Sequence, residues 1–260
     1  MNCENCHFKF TNPRPAEHEL MQYYQSPQYI SHSNKTNSLI NFIYKNVRKI
    51  TVKQKAKLVS RLTETGHLLD YGCGTGEFLK ACQDKGWQVL GVEPAALARQ
   101  QAINLTRANI YGSIFDIEKQ QQYNVITLWH VLEHVPQINE TLMKIKSLLK
   151  PSGKLVIAVP NHMCYEAGLY NEFWAGYDVP RHLYHFDKKS ISALLAKHRL
   201  KVETILPQKL DAYYVSLLSE KNQSANTNML KAFMTGYRSN YEAKKNNLNY
   251  SSLIYIVRHD

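Results

Sequence analysis

Apolar residues follow two alternating patterns along most of the chain. Short runs rich in Val, Ile and Leu predict strands, and segments with apolar residues every three or four positions predict helices. The helix-like segments lie at 37–62, 77–85, 95–104 and 138–149, and the strand-like segments lie at 67–71, 88–92, 109–111, 124–129 and 154–159. Apolar strands separated by helices indicate βαβ units, and therefore a parallel sheet buried on both faces.

The later part of the chain differs in composition and in the order of its predicted elements. An aromatic and charged insertion at 165–186 is followed by a predicted helix at 188–197, a strand at 201–206, two helical stretches and a last strand at 253–257. This order predicts an α/β fold with a doubly wound sheet, a late antiparallel strand and helical cover. Residues 1–36 are rich in Pro, Asn, Ser and Tyr, which predicts an irregular N-terminal arm.

Composition narrows the class of protein. The chain has 260 residues, of which 44% are hydrophobic, and this suits one domain with a core of ordinary size. The formal net charge is +11, with much of the excess at 45–61 and 231–245, which indicates either an anionic partner or a solvated basic helix face. Neither a signal peptide nor an apolar run of membrane-spanning length is present, so we expect a soluble, cytoplasmic protein.

A glycine-dense turn follows the first strand of the predicted sheet. Gly72, Gly74 and Gly76 form a GxGxG pattern between Asp70 and the next predicted helix. Glycines permit positive φ and let a ligand approach the backbone, and ligands of doubly wound sheets bind at this edge. The dinucleotide fingerprint is GxGxxG, so the observed spacing argues against NAD.

An acidic residue ends the next predicted strand. Glu93 lies 17 residues after Gly76 and directly before Pro94. A carboxylate at this position accepts both hydroxyl groups of a ribose, in either an adenosine cofactor or NAD. The alternative is an acidic residue that only caps the N-terminus of a helix.

These motifs resemble those of the class I S-adenosylmethionine-dependent methyltransferases. The resemblance runs through 68–79, 91–93, 123–135 and 148–160, in order and at normal spacing. It implies a Rossmann-like, mostly parallel seven-stranded sheet with S-adenosylmethionine as cofactor. It also implies a single domain at 37–260, with a cofactor-binding core at about 63–160 and substrate-covering insertions at about 161–187 and 207–250.

The resemblance assigns cofactor contacts as well. The implied cofactor-binding residues are Asp70, Gly72, Cys73, Gly74, Gly76, Glu93, Pro94, Ser113, Ile114 and His130. Asp70 and the glycine turn are expected to face the methionine part of the cofactor, and Glu93 the ribose. The family commonly places an acidic residue near the adenine amino group, whereas this chain has Ser113 as the first candidate there and Asp116 as the second.

A narrower resemblance involves segments 12–15, 129–135 and 176–183, which look like a bacterial subgroup of methyltransferase-domain proteins. Fuller members of this subgroup begin with a four-cysteine zinc ribbon, and some relatives modify sugars, quinones or polyketide-like molecules. Cys3 and Cys6 correspond to only the second half of that ribbon. A structural zinc site needs four ligands, so two ordinary thiols are the alternative, and no metal site is predicted.

Candidate catalytic residues flank the predicted cofactor site. Methyl transfer from a sulfonium is an in-line displacement, which asks the protein mainly to position the reactants. The predicted catalytic residues are His130, Arg181, His182 and His185. Histidine is the usual general base, and Arg181 suits a carboxylate or phosphate of the substrate. The alternative is a structural roof of buried aromatics in which Asp178 pairs with Arg181.

We therefore expect methyl transfer to oxygen or carbon of a small molecule, for example a sugar, a quinone-like or a phosphate-bearing compound. The alternatives are a nucleic-acid methyltransferase, favoured by the positive charge, and an S-adenosylmethionine-binding module without catalysis. Enzymes that methylate the amino groups of nucleic-acid bases carry Asn or Asp followed by Pro-Pro and an aromatic residue after the fourth strand. At that place, residues 129–132, this chain has Trp-His-Val-Leu. Nucleic acid is thus not the expected partner. Tyr213, Tyr214, Phe233, Tyr237 and Tyr241 are expected to line the pocket or to lie in the core.

Overall fold

The computed structural model describes residues 1–4, 8–24, 39–118, 122–224 and 227–260. Cys6 lies outside the described residues, as does the expected boundary between residues 36 and 37. The strands are β1 (Lys9–Phe10), β2 (His67–Tyr71), β3 (Gln88–Val92), β4 (Ile110–Tyr111), β5 (Tyr123–Trp129), β6 (Leu149–Pro160), β7 (Tyr184–His185), β8 (Leu200–Pro207) and β9 (Ser252–His259). The helices are α1 (Glu17–Leu20), α2 (Leu39–Leu62), α3 (Glu77–Gln83), α4 (Ala96–Thr106), α5 (Ile138–Leu148), α6 (Tyr165–Tyr170), α7 (Lys188–Lys197), α8 (Asp211–Gln223) and α9 (Met229–Lys245).

Seven strands form one sheet in the order β4-β3-β2-β5-β6-β9-β8. Neighbouring strands are parallel from β4 to β6, and β9 runs antiparallel to both β6 and β8. The expected mostly parallel sheet with a late antiparallel strand is therefore confirmed. None of the helices in the described ranges is long and apolar enough to cross a membrane.

Helices cover both faces of the sheet. On one face, Ala56 of α2 and Leu79 of α3 pack in a cluster with Leu68 of β2. On the opposite face, Ile145 of α5 packs in a cluster with Leu69 of β2. Consecutive strand residues point to opposite faces, so the two adjacent fully buried leucines show that both faces of this strand are covered.

The strand register places the functional loops side by side. Tyr71 of β2 pairs with Val92 of β3, and Asp70 pairs with Thr127 of β5. The loops that follow these three parallel strands therefore meet at the carboxyl edge of the sheet. This is the edge at which α/β sheets bind their ligands.

Strand β6 is longer than the sequence pattern indicates. The predicted segment began at residue 154, but the structure starts the strand at Leu149, which pairs with Tyr123. Pro151 and Gly153 are typical turn residues, yet they are tolerated here because the pairing shifts register before Val125.

The N-terminal arm is not entirely irregular. Strand β1 pairs antiparallel with β7, with Lys9 opposite His185 and Phe10 opposite Tyr184. Phe8 stacks on Tyr184 with 5.9 Å between the ring centroids. Local composition missed this pairing because a two-residue strand is defined by a distant partner. The arm thus joins the insertion at 161–187.

Candidate active site

The glycine turn after β2 is fixed by its backbone. Gly72, Gly74 and Gly76 have positive φ values of 79°, 54° and 84°. The N–H of Gly72 donates to the carbonyl oxygen of Val92 at 2.8 Å. A Cβ added at Gly72 would lie 2.4 Å from Cγ2 of Val131, whereas nothing lies within 4 Å of a Cβ added at Gly74. Gly74 therefore borders open space in which a ligand can approach the backbone.

The side chain of Cys73 turns away from this space. A Cβ added at Gly91 would lie 2.7 Å from the Cys73 Sγ, which is packed in the core. Burial raises the pKa of the Cys73 thiol, so the thiol is protonated at neutral pH. Only the backbone of Cys73 is placed to contact a cofactor.

Glu93 is tied directly to the glycine turn. Its Oε2 accepts the N–H of Gly74 at 2.8 Å, and its Oε1 accepts the N–H of Ala95 at 2.9 Å. Burial raises the pKa of Glu93, although these two hydrogen bonds oppose the rise. Arg99 donates to the carbonyl oxygens of Glu93 and Pro94 at 2.7 and 2.8 Å. Each carboxylate oxygen has a second lone pair available for a ribose hydroxyl.

Asp70 is buried beside the same turn. The hydroxyl of Thr127 donates to its Oδ1 at 2.6 Å. Burial raises the pKa of Asp70 to about 7, against the effects of Thr127 and the Lys55 ammonium, and the Glu93 carboxylate adds to the rise. A buried carboxyl group in this state gains charge stabilisation from a cationic ligand.

A lysine from α2 reaches this corner of the site. The Lys55 Nζ lies 4.5 Å from a ring centroid of Trp129, which ends β5. Burial lowers the pKa of Lys55, and the carboxylates of Asp211 and Asp70 oppose that fall. In the sequence, Lys55 is one of many basic residues at 45–61. In the structure, it lies near two acidic residues, Asp211 and Asp70.

The turn after β4 uses most of its polar groups internally. The N–H of Ser113 donates to Oδ2 of Asp116 at 3.2 Å, and the N–H of Phe115 donates to the Ser113 hydroxyl at 3.2 Å. Ile114 is buried and anchors the turn. Asp116 is exposed, so its carboxylate offers an acceptor oxygen to a ligand at this turn.

His130 lies between two carboxylates directly after β5. Its Nε2 is 3.1 Å from Oδ2 of Asp211, and its Nδ1 is 3.6 Å from Oε1 of Glu133. Burial alone would lower the pKa of His130, but hydrogen bonds and charge from Asp211 and Glu133 raise it to about 9. Gln208 donates to both oxygens of Asp211 at 2.8 Å. The raised pKa favours the cationic form of His130 at neutral pH, in which neither ring nitrogen can accept a proton.

Glu133, His134 and His182 form a compact group beneath the insertion. One potential ligand atom from each lies within 4.8 Å of the others, a spacing that accommodates a metal ion. The carboxylate of Glu133 is buried, and its Oε1 faces Nδ1 of His130 at 3.6 Å. Burial is the largest cause of the low pKa of His134, about 4.

His182 is held in one orientation. Its Nδ1 lies 2.8 Å from the carbonyl oxygen of Gly176 and its Nε2 lies 3.8 Å from Oδ2 of Asp178. A carbonyl only accepts, so Nδ1 carries the proton and Nε2 is the acceptor nitrogen of the neutral ring. The hydroxyl of Thr11 donates to the His182 carbonyl oxygen at 2.6 Å, so the N-terminal arm supports this segment.

The other two predicted catalytic residues have structural partners. Arg181 donates to Oδ1 of Asp178 at 2.6 Å, as the structural alternative predicted. His185 is buried, with its Nε2 3.1 Å from the Thr11 hydroxyl. Burial and the nearby His182 lower the pKa of His185 to about 4. His185 thus stabilises the junction between β7 and the arm, whereas the side chain of Arg181 stays partly exposed.

The family follows from a comparison with known proteins. A family model described as a methyltransferase domain matches residues 45–205. The chain belongs to the methyltransferase domain family. Ubiquinone biosynthesis O-methyltransferase of Rhodopseudomonas palustris (strain TIE-1) is 26% identical over 164 residues, or 60% of this chain and 64% of the relative. The match therefore spans less than two thirds of the length of that relative.

Solved structures show the same fold as this methyltransferase domain. Magnesium protoporphyrin IX methyltransferase from Synechocystis PCC 6803, with bound S-adenosylhomocysteine, gives a TM-score of 0.60 at 12% identity, covering 92% of this chain and 97% of that one. Geranyl diphosphate C-methyltransferase from Streptomyces coelicolor A3(2) gives a TM-score of 0.60 at 15% identity, covering 89% of this chain and 88% of that one.

Sequence reasoning missed three residues that the structure brings to the candidate site, namely Lys55, Gln208 and Asp211. A signal existed for two of them. Lys55 lies three residues after Val52 and four before Val59, so it falls within the inward stripe of α2. Asp211 follows the carboxyl end of a strand, where site residues concentrate. Gln208 directly follows the same strand end, but a glutamine there is not a titratable candidate.

Proposed function

We propose that this methyltransferase domain transfers the methyl group of S-adenosylmethionine to an oxygen or carbon atom of a small molecule. The observation that carries the proposal is the hydrogen bond from Gly74 to Glu93, which joins the glycine turn and the ribose-binding acid into one unit. The GxGxG spacing of that turn separates it from the dinucleotide fingerprint. S-adenosylhomocysteine would be the second product.

The residues present fit this cofactor. Asp70 is a buried carboxyl group that a cationic ammonium would stabilise, and Lys55 beside it suits a carboxylate, so the pair matches an amino-acid group. Glu93 would accept the ribose hydroxyls, with Pro94 beside it. The turn with Ser113, Ile114 and Asp116 would hold the adenine, with Asp116 favoured as acceptor for its amino group. When bound, the cofactor supplies an electrophilic methyl group on a sulfonium sulfur.

The charged histidine at the edge of the sheet has an electrostatic role in this proposal. His130 is a cation held by Asp211 and Glu133, and it fixes the loop after β5 against the start of α8. The two carboxylates balance its positive charge, so the contribution of His130 is to hold these segments together. His130 is therefore proposed as a positioning residue and not as a base.

His182 is the proposed general base for a hydroxyl acceptor. Its neutral ring presents Nε2 as the acceptor nitrogen, since Nδ1 bonds to the carbonyl of Gly176. A positioned base contributes about 10²–10⁴-fold to such a step. Arg181 would bind an anionic substituent of the substrate by exchanging its pairing with Asp178.

The similar proteins indicate which classes of methyl acceptor to test first. The ubiquinone biosynthesis relative is an O-methyltransferase by name, and one structural neighbour is named for geranyl diphosphate, so a hydroxyl and a phosphate-bearing acceptor are the first classes to screen. The same proposal places the protein in the cytoplasm, where thiols such as the buried Cys73, Cys82 and Cys164 stay reduced.

Calorimetric titration of the purified protein tests the proposal. S-adenosylmethionine, S-adenosylhomocysteine and NAD are titrated in parallel. We expect micromolar binding of the two sulfur compounds and none of NAD. Failure of a folded sample to bind either sulfur compound would reject the proposal. If they bind but no small molecule accepts a labelled methyl group, the binding-module alternative gains support. A raised ratio of absorbance at 260 to 280 nm would favour nucleic acid.

A further inference from the structure

Helix α9 is built with its large apolar side chains facing solvent. Its buried positions are all small residues, namely Ala232, Thr235, Gly236, Ser239 and Ala243. Its exposed positions include a continuous stripe of large apolar residues at helical spacing, namely Leu230, Phe233, Met234, Tyr237 and Tyr241. Leu230 is 74% exposed, and Phe233 and Tyr237 are each 59% exposed. We call these five residues the α9 stripe.

Close packing against α8 explains the buried face. A Cβ added at Gly236 would lie 2.8 Å from Cα of Tyr213, so the two helix backbones touch at this point. Ser239 donates a hydrogen bond to the buried carboxylate of Glu166 on α6. Rotating the helix would therefore place large side chains where only small ones fit, so the orientation of the stripe is set by these contacts.

The α9 stripe continues onto α6. A groove of about 460 Å³ lies between Tyr165 and Leu169 of α6 and Tyr237 of α9. Leu169 is itself exposed, and the guanidinium of Arg238 lies 5.0 Å from the ring centroid of Tyr165. Monomeric soluble proteins rarely expose contiguous apolar surface without a partner.

Basic residues border the stripe. Arg238 and Lys245 lie along one side of the stripe, where the Lys245 Nζ is 4.2 Å from the ring centroid of Tyr241, and Lys244 lies about two turns after Tyr237 on the same line of the helix. Among nearby acidic groups, Glu220 is buried and paired with Lys231 at 2.7 Å, and Glu242 is partly buried on α9. The net charge of the stripe region is thus positive, in a chain that carries +11.

We propose that the α9 stripe docks this protein onto the surface of a membrane rich in anionic phospholipid. Helices of this type lie in the interface plane, with aromatic and apolar side chains in the headgroup region and basic residues against the phosphates. The positive charge favours a membrane over a second copy of this chain as the partner, because two copies would bring positive charge to the interface from both sides. The docking does not depend on the proposed methyl transfer.

Vesicle sedimentation with the full chain tests this assignment. Vesicles of phosphatidylcholine alone are compared with vesicles of equal parts phosphatidylglycerol and phosphatidylcholine. We expect binding to the anionic vesicles only, and weaker binding at higher salt. The triple variant Leu230→Ser, Phe233→Ser, Tyr237→Ser should lose at least about tenfold in vesicle affinity. The triple variant Arg238→Gln, Lys244→Gln, Lys245→Gln should lose on the order of 100-fold.

A matched control separates the stripe from general exposure of apolar residues. Leu97 of α4 and Met143 of α5 are also exposed, and the double variant Leu97→Ser, Met143→Ser should bind vesicles like the natural chain. Thermal melts and S-adenosylmethionine binding confirm that each variant is folded. Equal binding by natural chain and stripe variant would overturn the proposal, as would absence of binding to anionic vesicles. A dimer in light scattering that the stripe substitutions dissociate would assign the surface to a second copy instead.

Discussion

The N–H of Gly74 donates to the carboxylate of Glu93 at 2.8 Å. The residue expected to bind ribose thus also holds the turn expected to bind the methionine part. Because the second oxygen of Glu93 accepts the N–H of Ala95, the acid also anchors the start of α4. Loss of Glu93 therefore affects binding both directly and through the shape of the turn.

We predict that Glu93→Gln weakens S-adenosylmethionine binding by more than about tenfold in calorimetry. A hydrogen bond to a charged acceptor contributes about 1.5–3 kcal/mol, and the amide loses this charge and offers only one acceptor oxygen. The melting temperature should fall as well, because the amide nitrogen of glutamine would face one of the two backbone N–H groups that the carboxylate accepts.

Glu203→Gln is the matched control for that variant. Glu203 lies on β8 and pairs with Lys154 at 2.6 Å, apart from the residues of the site, so its replacement should leave cofactor affinity unchanged. Equal affinities of Glu93→Gln and the natural chain would remove Glu93 from the cofactor site.

The affinity for S-adenosylmethionine should fall as pH is lowered from 8 to 6. The pKa of Asp70 is about 7 in the cofactor-free protein because of burial, and an ammonium ligand needs the ionised carboxylate. Binding should therefore release protons near neutral pH, which calorimetry in buffers of different ionisation enthalpy measures directly. Asp70→Asn should bind more weakly and lose this pH dependence. A pH-independent affinity of the natural chain would contradict the assignment of Asp70.

The pH dependence of thermal stability should reveal the raised pKa of His130. A histidine whose pKa is about 9 when folded and 6.5 when unfolded stabilises the protein fully below pH 6.5, and loses this effect as pH rises through 9. His130→Gln should therefore lower the unfolding free energy most near pH 6, on the order of 2 kcal/mol, and least above pH 9. His198→Gln serves as control, because burial lowers the pKa of His198. A pH-independent difference would reject the charged pair with Asp211.

His182→Gln should lower turnover by about 10²–10⁴-fold once a hydroxyl acceptor is found, with unchanged cofactor affinity. Thr11→Val tests whether the N-terminal arm is needed to hold His182 in place. It removes the hydrogen bond to the His182 carbonyl oxygen and leaves the imidazole intact. Turnover of His182→Gln equal to that of the natural chain would exclude the base role.

The fold and the cofactor turn were accessible from sequence because both depend on local patterns. Leu68 and Leu69 belong to a short apolar run that predicts a doubly buried strand, and Gly72 marks the turn that follows. The order of such elements predicted the parallel sheet, and the family is confirmed by the match over 45–205.

The acceptor side of the site depends on contacts that no local pattern contains. His130 and Asp211 are 81 positions apart and meet only because β8 and β5 belong to one sheet. The charge state of His130 follows from that contact, so its predicted catalytic role became a proposed positioning role. Likewise, Phe233 and Tyr237 were expected in the pocket or the core, but small residues at Gly236 and Ser239 place them outside.

The contact between Thr11 and His182 has a consequence for biosynthesis. The two residues are 171 positions apart in the chain. At about 5–20 residues per second, the ribosome takes roughly 10 to 30 s to make the second partner after the first. During that interval the nascent arm has no partner strand. The proposed base can reach its final setting only after both the N-terminal arm and the insertion have been translated.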